Sequence, residues 1–409
     1  MPQIRLSRRD PSSTPLPYTA SPLLLFCRDI SLFLRYIWAI PGILLPLNLG
    51  QTTPLDELYP SLGGLVSFSV QLALTIAQIA FLISIPVLLL LLLPTAWIIA
   101  YVFAGFALNY LICLKLLNGT ERVLVSQVPV SSPSDHEREC WFFINGVANS
   151  KYWLQNNIDQ LAYSFGRKIT GIHNRTSGLV FDLIECLIQR CFSYATGDIR
   201  SAYVLLKKQL LSPSCDKVVI ILHSQGGIEG SMVIDWLLDE LPQDLLRKLE
   251  VYTFGNAANH FNNPRQSSKC DLIVRSIRHI EHYANSQDAV SYLGVLHFTD
   301  VPNRYLGRLF IRPGSGHMMN QHYLDTMFTM GSDHRVLDSN SFMDMEVDMK
   351  LASNGYDGDC ELSLLPEASL DSPTSKDSPK SRVHRVKDFS RLWQYRNGGS
   401  PDENPSLLD

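Results

Sequence analysis

The stretch "KVVIILHSQGGIEGSMVIDWLLDEL", residues 217–241, changes character at its centre. Its first seven residues form an apolar run of strand length, and from Gly227 to Leu241 apolar side chains recur at helical spacing. Between the two stands Ser224, preceded by His223 and followed by Gln225, Gly226 and Gly227. A strand that turns sharply into a helix at a serine lifts the hydroxyl above the sheet edge, and small residues after it let strand and helix approach. The next backbone N–H, that of Gln225, then points toward a developing oxyanion. The same residues also suit an ordinary helix N-cap. Leu222 stands two before the serine, where glycine is usual in such turns, and it crowds the bend.

Outward from this turn, strand and helix patterns alternate. "CWFFINGVAN", "KITGIHN", "LEVYTFGNAAN", "LIVRSIRHIEHYA" and "GRLFIRP" read as strands. "KYWLQNNIDQLAYSFG" and the long stretch from Gly178 to Leu211 read as helices. Such alternation predicts an α/β fold with a mostly parallel sheet covered on both faces.

Three further features match what a serine nucleophile requires. In "FFINGVAN" a strand ends in Asn145, Gly146 and Val147, where the Val147 N–H offers a second oxyanion donor; an ordinary Asn-Gly turn reads the same way. "NSQDAV" places Asp288 in a loop after a later strand, suited to orienting an imidazole, whereas Glu281 falls inside the strand and Asp271 before it. A loop aspartate is otherwise a solvated or capping residue. "GSGHMMNQHYL" places His317 in a glycine-flanked loop, with His322 inside the following helix and directed away, and His297 in reserve.

The order "FFINGVAN", "HSQGG", "VYTFGNAANHF", "NSQDAV", "GSGH" resembles the α/β-hydrolase fold. "VYTFGNAANHF" and "NSQDAV" are similar to phrases of the class 3 triacylglycerol lipase branch and of fungal serine hydrolases carrying "HSQGG". The resemblance covers residues 137–330. It implies ester hydrolysis without metal or organic cofactor: Ser224 as nucleophile, Asp288 as orienting acid, His317 as base, and the Gln225 and Val147 N–H groups as oxyanion hole. A thioesterase or acyltransferase shares that acyl-enzyme, and a non-catalytic membrane scaffold retaining the fold is the reading from another class. The helices between Gly178 and Leu211 suit a cap over an acyl chain, and core packing explains their spacing as well.

From Leu58 to Leu114 there is no Asp, Glu, Lys, Arg or His. A helix needs about 20 apolar residues to cross the hydrocarbon layer, and this run supplies two such lengths, with a reversal at Pro94 and Thr95 and a kink at Pro86. Lipid bilayer and lipid or acyl-ester substrate are the expected partners. Arg28 and Arg35 before the hairpin and Lys115 and Arg122 after it place both flanks in the cytosol. "YIWAIPGILLPLNLG", residues 36–50, reads as interfacial or re-entrant; a third span there would reverse the topology. The sequons at Asn118 and Asn174 offer a check on that side.

With a net charge of -4 and 18% charged residues, nothing in the composition suggests a nucleic-acid surface, and no nucleic-acid partner is expected. The eight cysteines are scattered, without Cys-x-x-Cys or zinc spacing. "DPSSTPLPYTASP" separates the basic start from any apolar run, so the N-terminus does not read as a cleaved signal. The expected organisation is an N-terminal basic and interfacial segment (1–64), a hairpin (65–117), a linker (118–136), a hydrolase domain (137–350) and a Ser/Pro-rich tail without structure of its own (351–409), in which "FSRLWQY" is a candidate docking element.

Overall fold

A computed structural model describes residues 3–6, 21–47, 52–129, 136–264, 275–301, 304–347 and 384–401. Its centre is an eight-stranded mixed sheet of order β1-β8-β7-β6-β5-β3-β4-β2. The strands are β1 (Gln3–Leu6), β2 (Val123–Val125), β3 (Glu139–Ile144), β4 (Ile169–Ile172), β5 (Lys217–His223), β6 (Leu249–Phe254), β7 (His279–Asn285) and β8 (Arg308–Arg312). The six inner strands run parallel, while β1 pairs antiparallel with β8 and β2 antiparallel with β4. The mostly parallel sheet is therefore as expected. Its two edge strands fall where the sequence suggested a basic lead and a linker, because three or four residues carry too little alternation to stand out.

Alternate side chains of each strand enter opposite cores. Val218, Ile220 and Leu222 pack against Ile199, Ala202, Leu206, Val233 and Leu237 of α6 (Gly197–Leu211) and α7 (Gln225–Glu240). Val219 and Ile221 face Leu154, Ile158, Leu161 and Phe165 of α4 (Lys151–Phe165). This second core is completed by Val386, Leu392, Trp393 and Tyr395 of two short C-terminal helices, Val386–Phe389 and Arg391–Gln394.

Residues 384–401 thus belong to the folded body rather than to an unstructured tail; the remainder of the expected tail lies outside the described residues. The cause is long-range. Glu250, on β6, is buried and receives Arg391 at 2.8 Å and the Tyr395 hydroxyl at 2.9 Å. Burial opposes its charge, but Arg391 prevails and holds its carboxyl down at about 2.

Ahead of the sheet lie α1 (Pro22–Tyr36), a 3-10 segment (Ile37–Ile43) and the apolar hairpin of α2 (Leu62–Leu90) and α3 (Thr95–Ile112), the latter extended by a π-turn to Asn118. Both hairpin helices are long and apolar enough to cross a membrane. Pro86 is accommodated within α2, and the chain reverses between Leu91 and Pro94. The foot of the hairpin is bound to the loop after β4: Gln78 Nε2 donates to Ser177 O at 2.7 Å and to Asn109 Oδ1 at 2.8 Å, and Asn109 Nδ2 donates to Ser177 O at 2.9 Å. Asn118 and Asn174 are both buried and hydrogen-bonded within the fold, so neither sequon side chain is accessible for a glycan in the folded protein.

Candidate active site

Ser224 ends β5 and precedes α7 with φ 57° and ψ -121°. A non-glycine residue there carries strain of order 1–3 kcal/mol, held in place by its surroundings. Its N–H donates to Phe254 O at 3.1 Å, and its carbonyl accepts from Gly227 at 3.0 Å and Ala257 at 3.2 Å. The side chain caps no helix N–H, so the N-cap alternative does not describe it.

The turn is tight enough to require small neighbours. A Cβ on Gly146 would lie 2.5 Å from Ser224 Cβ, and one on Gly226 would lie 2.4 Å from Ile144 O. Gly227 faces Asn256 Oδ1 just as closely. The turn Asn145–Gly146–Val147 therefore abuts the serine, as the sequence suggested. Asn145 fixes that turn to the end of β4, accepting from Asn174 N at 2.9 Å and donating to Asn174 O at 2.9 Å. The amides of Gln225 and Val147 have no hydrogen-bond partner among the described residues.

Asp288 and His317 come together from loops after β7 and β8. His317 Nδ1 lies 2.9 Å from Asp288 Oδ2. The same oxygen accepts from the Tyr323 hydroxyl at 2.7 Å and the Ser291 hydroxyl at 2.9 Å, while Oδ1 accepts from Val290 N at 2.9 Å and caps a short helix. Burial opposes the charge of Asp288, but the facing imidazole and these donors outweigh it and hold its carboxyl below the usual value. With Nδ1 committed to Asp288, Nε2 of His317 is left buried and without a hydrogen-bond partner.

His317 is held on three further sides. Its ring stacks on His223, the residue before the serine, with centroids 4.7 Å apart. His223 Nε2 meets His317 O at 2.8 Å, and burial followed by the charge of His317 pushes His223 down to about 3, so it is a neutral donor there. The His317 N–H donates to Ile43 O at 3.1 Å, and Gly316 N donates to Gly42 O at 3.0 Å. The 3-10 segment, read as interfacial from sequence, thus braces the histidine loop. Gly255 at the end of β6, with φ +54°, would bring a Cβ to 2.8 Å from His317 Nδ1 and 3.0 Å from Asp288 Oδ2.

The other candidates stay apart. Glu281 bonds Tyr283 and the amide of Arg391 in the second core. His322 lies in the π-turn Met319–Leu324 and bonds Pro46 O and Met318 N. His297 meets Phe298 edge to face in a short helix, and Asp271 lies outside the described residues. Tyr323, Ser291 and Gly255 were not singled out from sequence, and His223 was noted only as part of "HSQGG"; of the first three only Gly255, a glycine at a strand end, carried a local signal.

Beside the turn, Gln225 ties the serine to α5 (Leu179–Phe192). Its Nε2 donates to Gln189 Oε1 at 3.1 Å and Glu185 Oε1 at 3.3 Å, and its Oε1 accepts from Asn174 at 2.8 Å. Among the described residues no group of three or more His, Cys, Asp or Glu is arranged to hold a metal ion. Comparison with protein-family models, with curated proteins and with solved structures found no match.

Proposed function

We propose that the chain is a membrane-anchored serine ester hydrolase of the α/β-hydrolase type, its domain on the cytosolic side of the membrane. The observation that carries the reading is the Asp288–His317 pair, with Nε2 unengaged and its ring stacked on His223, the residue before a serine held in a strained strand-to-helix turn. The strand order supports it: nucleophile after β5, acid after β7 and histidine after β8 follow the chain order expected of such a site, with the second oxyanion donor after β3.

In this mechanism His317 Nε2 takes the proton of Ser224 as its oxygen attacks an ester carbonyl. The N–H groups of Gln225 and Val147 stabilise the oxyanion, and Asp288 stabilises the imidazolium. Collapse expels the alcohol, which takes its proton from His317. Water, deprotonated by the same histidine, then attacks the acyl carbon, and collapse releases the acid as Ser224 Oγ takes that proton back from His317. A thioester substrate or another acyl acceptor would use the same steps.

A fluorophosphonate probe tests the reading. The wild-type protein should be labelled and Ser224→Ala should not, with both melting cooperatively at similar temperatures. A folded wild type that stays unlabelled leaves the scaffold reading in its place. For topology, protection of the C-terminal segment from protease in sealed microsomes would place the domain on the lumenal side.

A further inference from the structure

Helix α5 has two differently made edges. Toward the site it offers Glu185 and Gln189, which hold Gln225. Phe181, Ile184, Ile188 and Phe192, spaced three, four and four residues apart, share another stripe. That stripe begins at the hairpin, where the Phe181 ring lies 5.3 Å from Phe106 of α3 and 6.3 Å from Phe81 of α2. It continues bare: Ile184, Ile188 and Phe192 are 40%, 40% and 46% exposed.

Helix α1 is fastened to α5 by a buried ion pair, Asp29 with Arg190 at 2.6 Å, whose guanidinium also donates to Ala257 O and Leu293 O. Along α1 and the 3-10 segment, Leu34 and Trp38 are 61% and 66% exposed, beside exposed Arg28 and Arg35. The 3-10 segment is also the one whose carbonyls hold the amides of Gly316 and His317. Two of the elements with bare apolar outer faces, α5 and the 3-10 segment, thus hold Gln225, the residue after Ser224, and His317 on their inner edges.

The hairpin says what covers this face. Above the Gln78–Asn109 rung, α2 runs on to Leu90 and α3 back from Thr95, arms of about 18 and 21 Å at 1.5 Å per residue. The hydrocarbon layer is about 30 Å thick. Full insertion of arms this short draws the rung, and the α5 end fixed to it, down to the lipid surface. We propose that the apolar stripes of α5, α1 and the 3-10 segment form a lipid-docking face that rests in the headgroup layer of the leaflet the hairpin enters. Arg28 and Arg35 meet lipid phosphates there. Given the ester-hydrolase reading, the substrate is then an acyl ester drawn from that leaflet at the docking face.

The test uses the full chain in phosphatidylcholine/phosphatidylserine vesicles. Single spin labels at Ile188→Cys and Leu34→Cys, in a background with Cys27, Cys140, Cys186, Cys270 and Cys360 replaced by serine, should be relaxed by oxygen more than by a water-soluble nickel chelate, as should a label at Ile83→Cys in the hairpin. A label at Asp244→Cys, just before β6 and so at the opposite end of the strands, should show the reverse. Labels at 34 and 188 that match the one at 244 would overturn the docking face, whether or not the protein is an enzyme. Introducing Ile184→Glu with Ile188→Glu should slow acyl release from vesicle lipid about tenfold and leave hydrolysis of a short water-soluble ester within twofold. Equal rates on vesicle lipid overturn the leaflet route. Absence of fluorophosphonate labelling in wild type counts against the hydrolase reading alone.

Discussion

Asp288 after β7 and Glu229, five residues beyond Ser224 on α7, are both fully buried carboxyls, and their surroundings drive them in opposite directions. Asp288 accepts from four donors, those of His317, Tyr323, Ser291 and Val290, and is held below the usual carboxylate value. Neither oxygen of Glu229 meets a donor in good hydrogen-bonding geometry, and Gln189 is the one polar side chain that favours its charge. Burial, then the nearby charges of Asp198 and Glu185, push its carboxyl well above its ordinary value. Burial alone therefore does not decide the charge of an acid; the supply of donors does. One carboxyl is favoured as an anion facing an imidazole, the other as a neutral part of the core.

The strongest way to break this contrast is Asp288→Asn. An amide leaves one acceptor oxygen where four donors converge, and its NH2 meets N–H or O–H groups. The imidazole then loses its anionic support, and fluorophosphonate labelling is expected to slow by between about a thousandfold and ten thousandfold. Labelling within tenfold of wild type would remove Asp288 from the reaction. Next in size is Gly255→Ala. The added methyl must displace the His317 ring or the Asp288 carboxyl, and the residue must also hold φ +54°. A displacement of the base by about an ångström costs on the order of a hundredfold, so labelling should slow by that much while far-ultraviolet circular dichroism stays unchanged.

The serine side of this arrangement was legible because it is local. A seven-residue strand, a serine and two glycines fix the turn within eleven positions, and the sequence carries all of them. Leu222 raised an objection the structure answers. Gly230, two turns along α7, has room for no Cβ, which would lie 2.3 Å from Leu222 Cδ1. The space usually supplied by a glycine before the serine is supplied from the helix instead. The acid–base side was legible only in order: "NSQDAV" and "GSGH" marked Asp288 and His317, but the other donors that set the charge of Asp288 come from Val290 and Ser291 just after it and from the π-turn at Tyr323. The brace from Gly42 and Ile43 crosses more than 270 positions and leaves no periodic trace. Residues 384–401 were misread for a related reason: their anchors, Glu250 and Glu281, are charges that a reading of apolar spacing does not pair with Arg391.

The smallest effect sharpens the comparison most. Glu229→Gln replaces a neutral acid with a neutral amide of nearly the same shape, so labelling near pH 6 should remain within about twofold of wild type. Stability should respond with a definite sign. The folded value of Glu229 is raised above its ordinary 4.5, so its contribution is fully present below that pH and declines as pH climbs toward the folded value. Glutamine has no proton to lose. The melting temperature of Glu229→Gln, minus that of wild type, should therefore grow between pH 5 and pH 9 in the same detergent. Asp288 lies below its ordinary 3.8, so its contribution is present above that pH and is lost as pH falls through the folded value. Asp288→Asn should accordingly melt below wild type at neutral pH, with the gap closing toward pH 3. Gaps of the same sign in the two variants across the neutral range would mean that the donors around Asp288 do not separate these carboxyls.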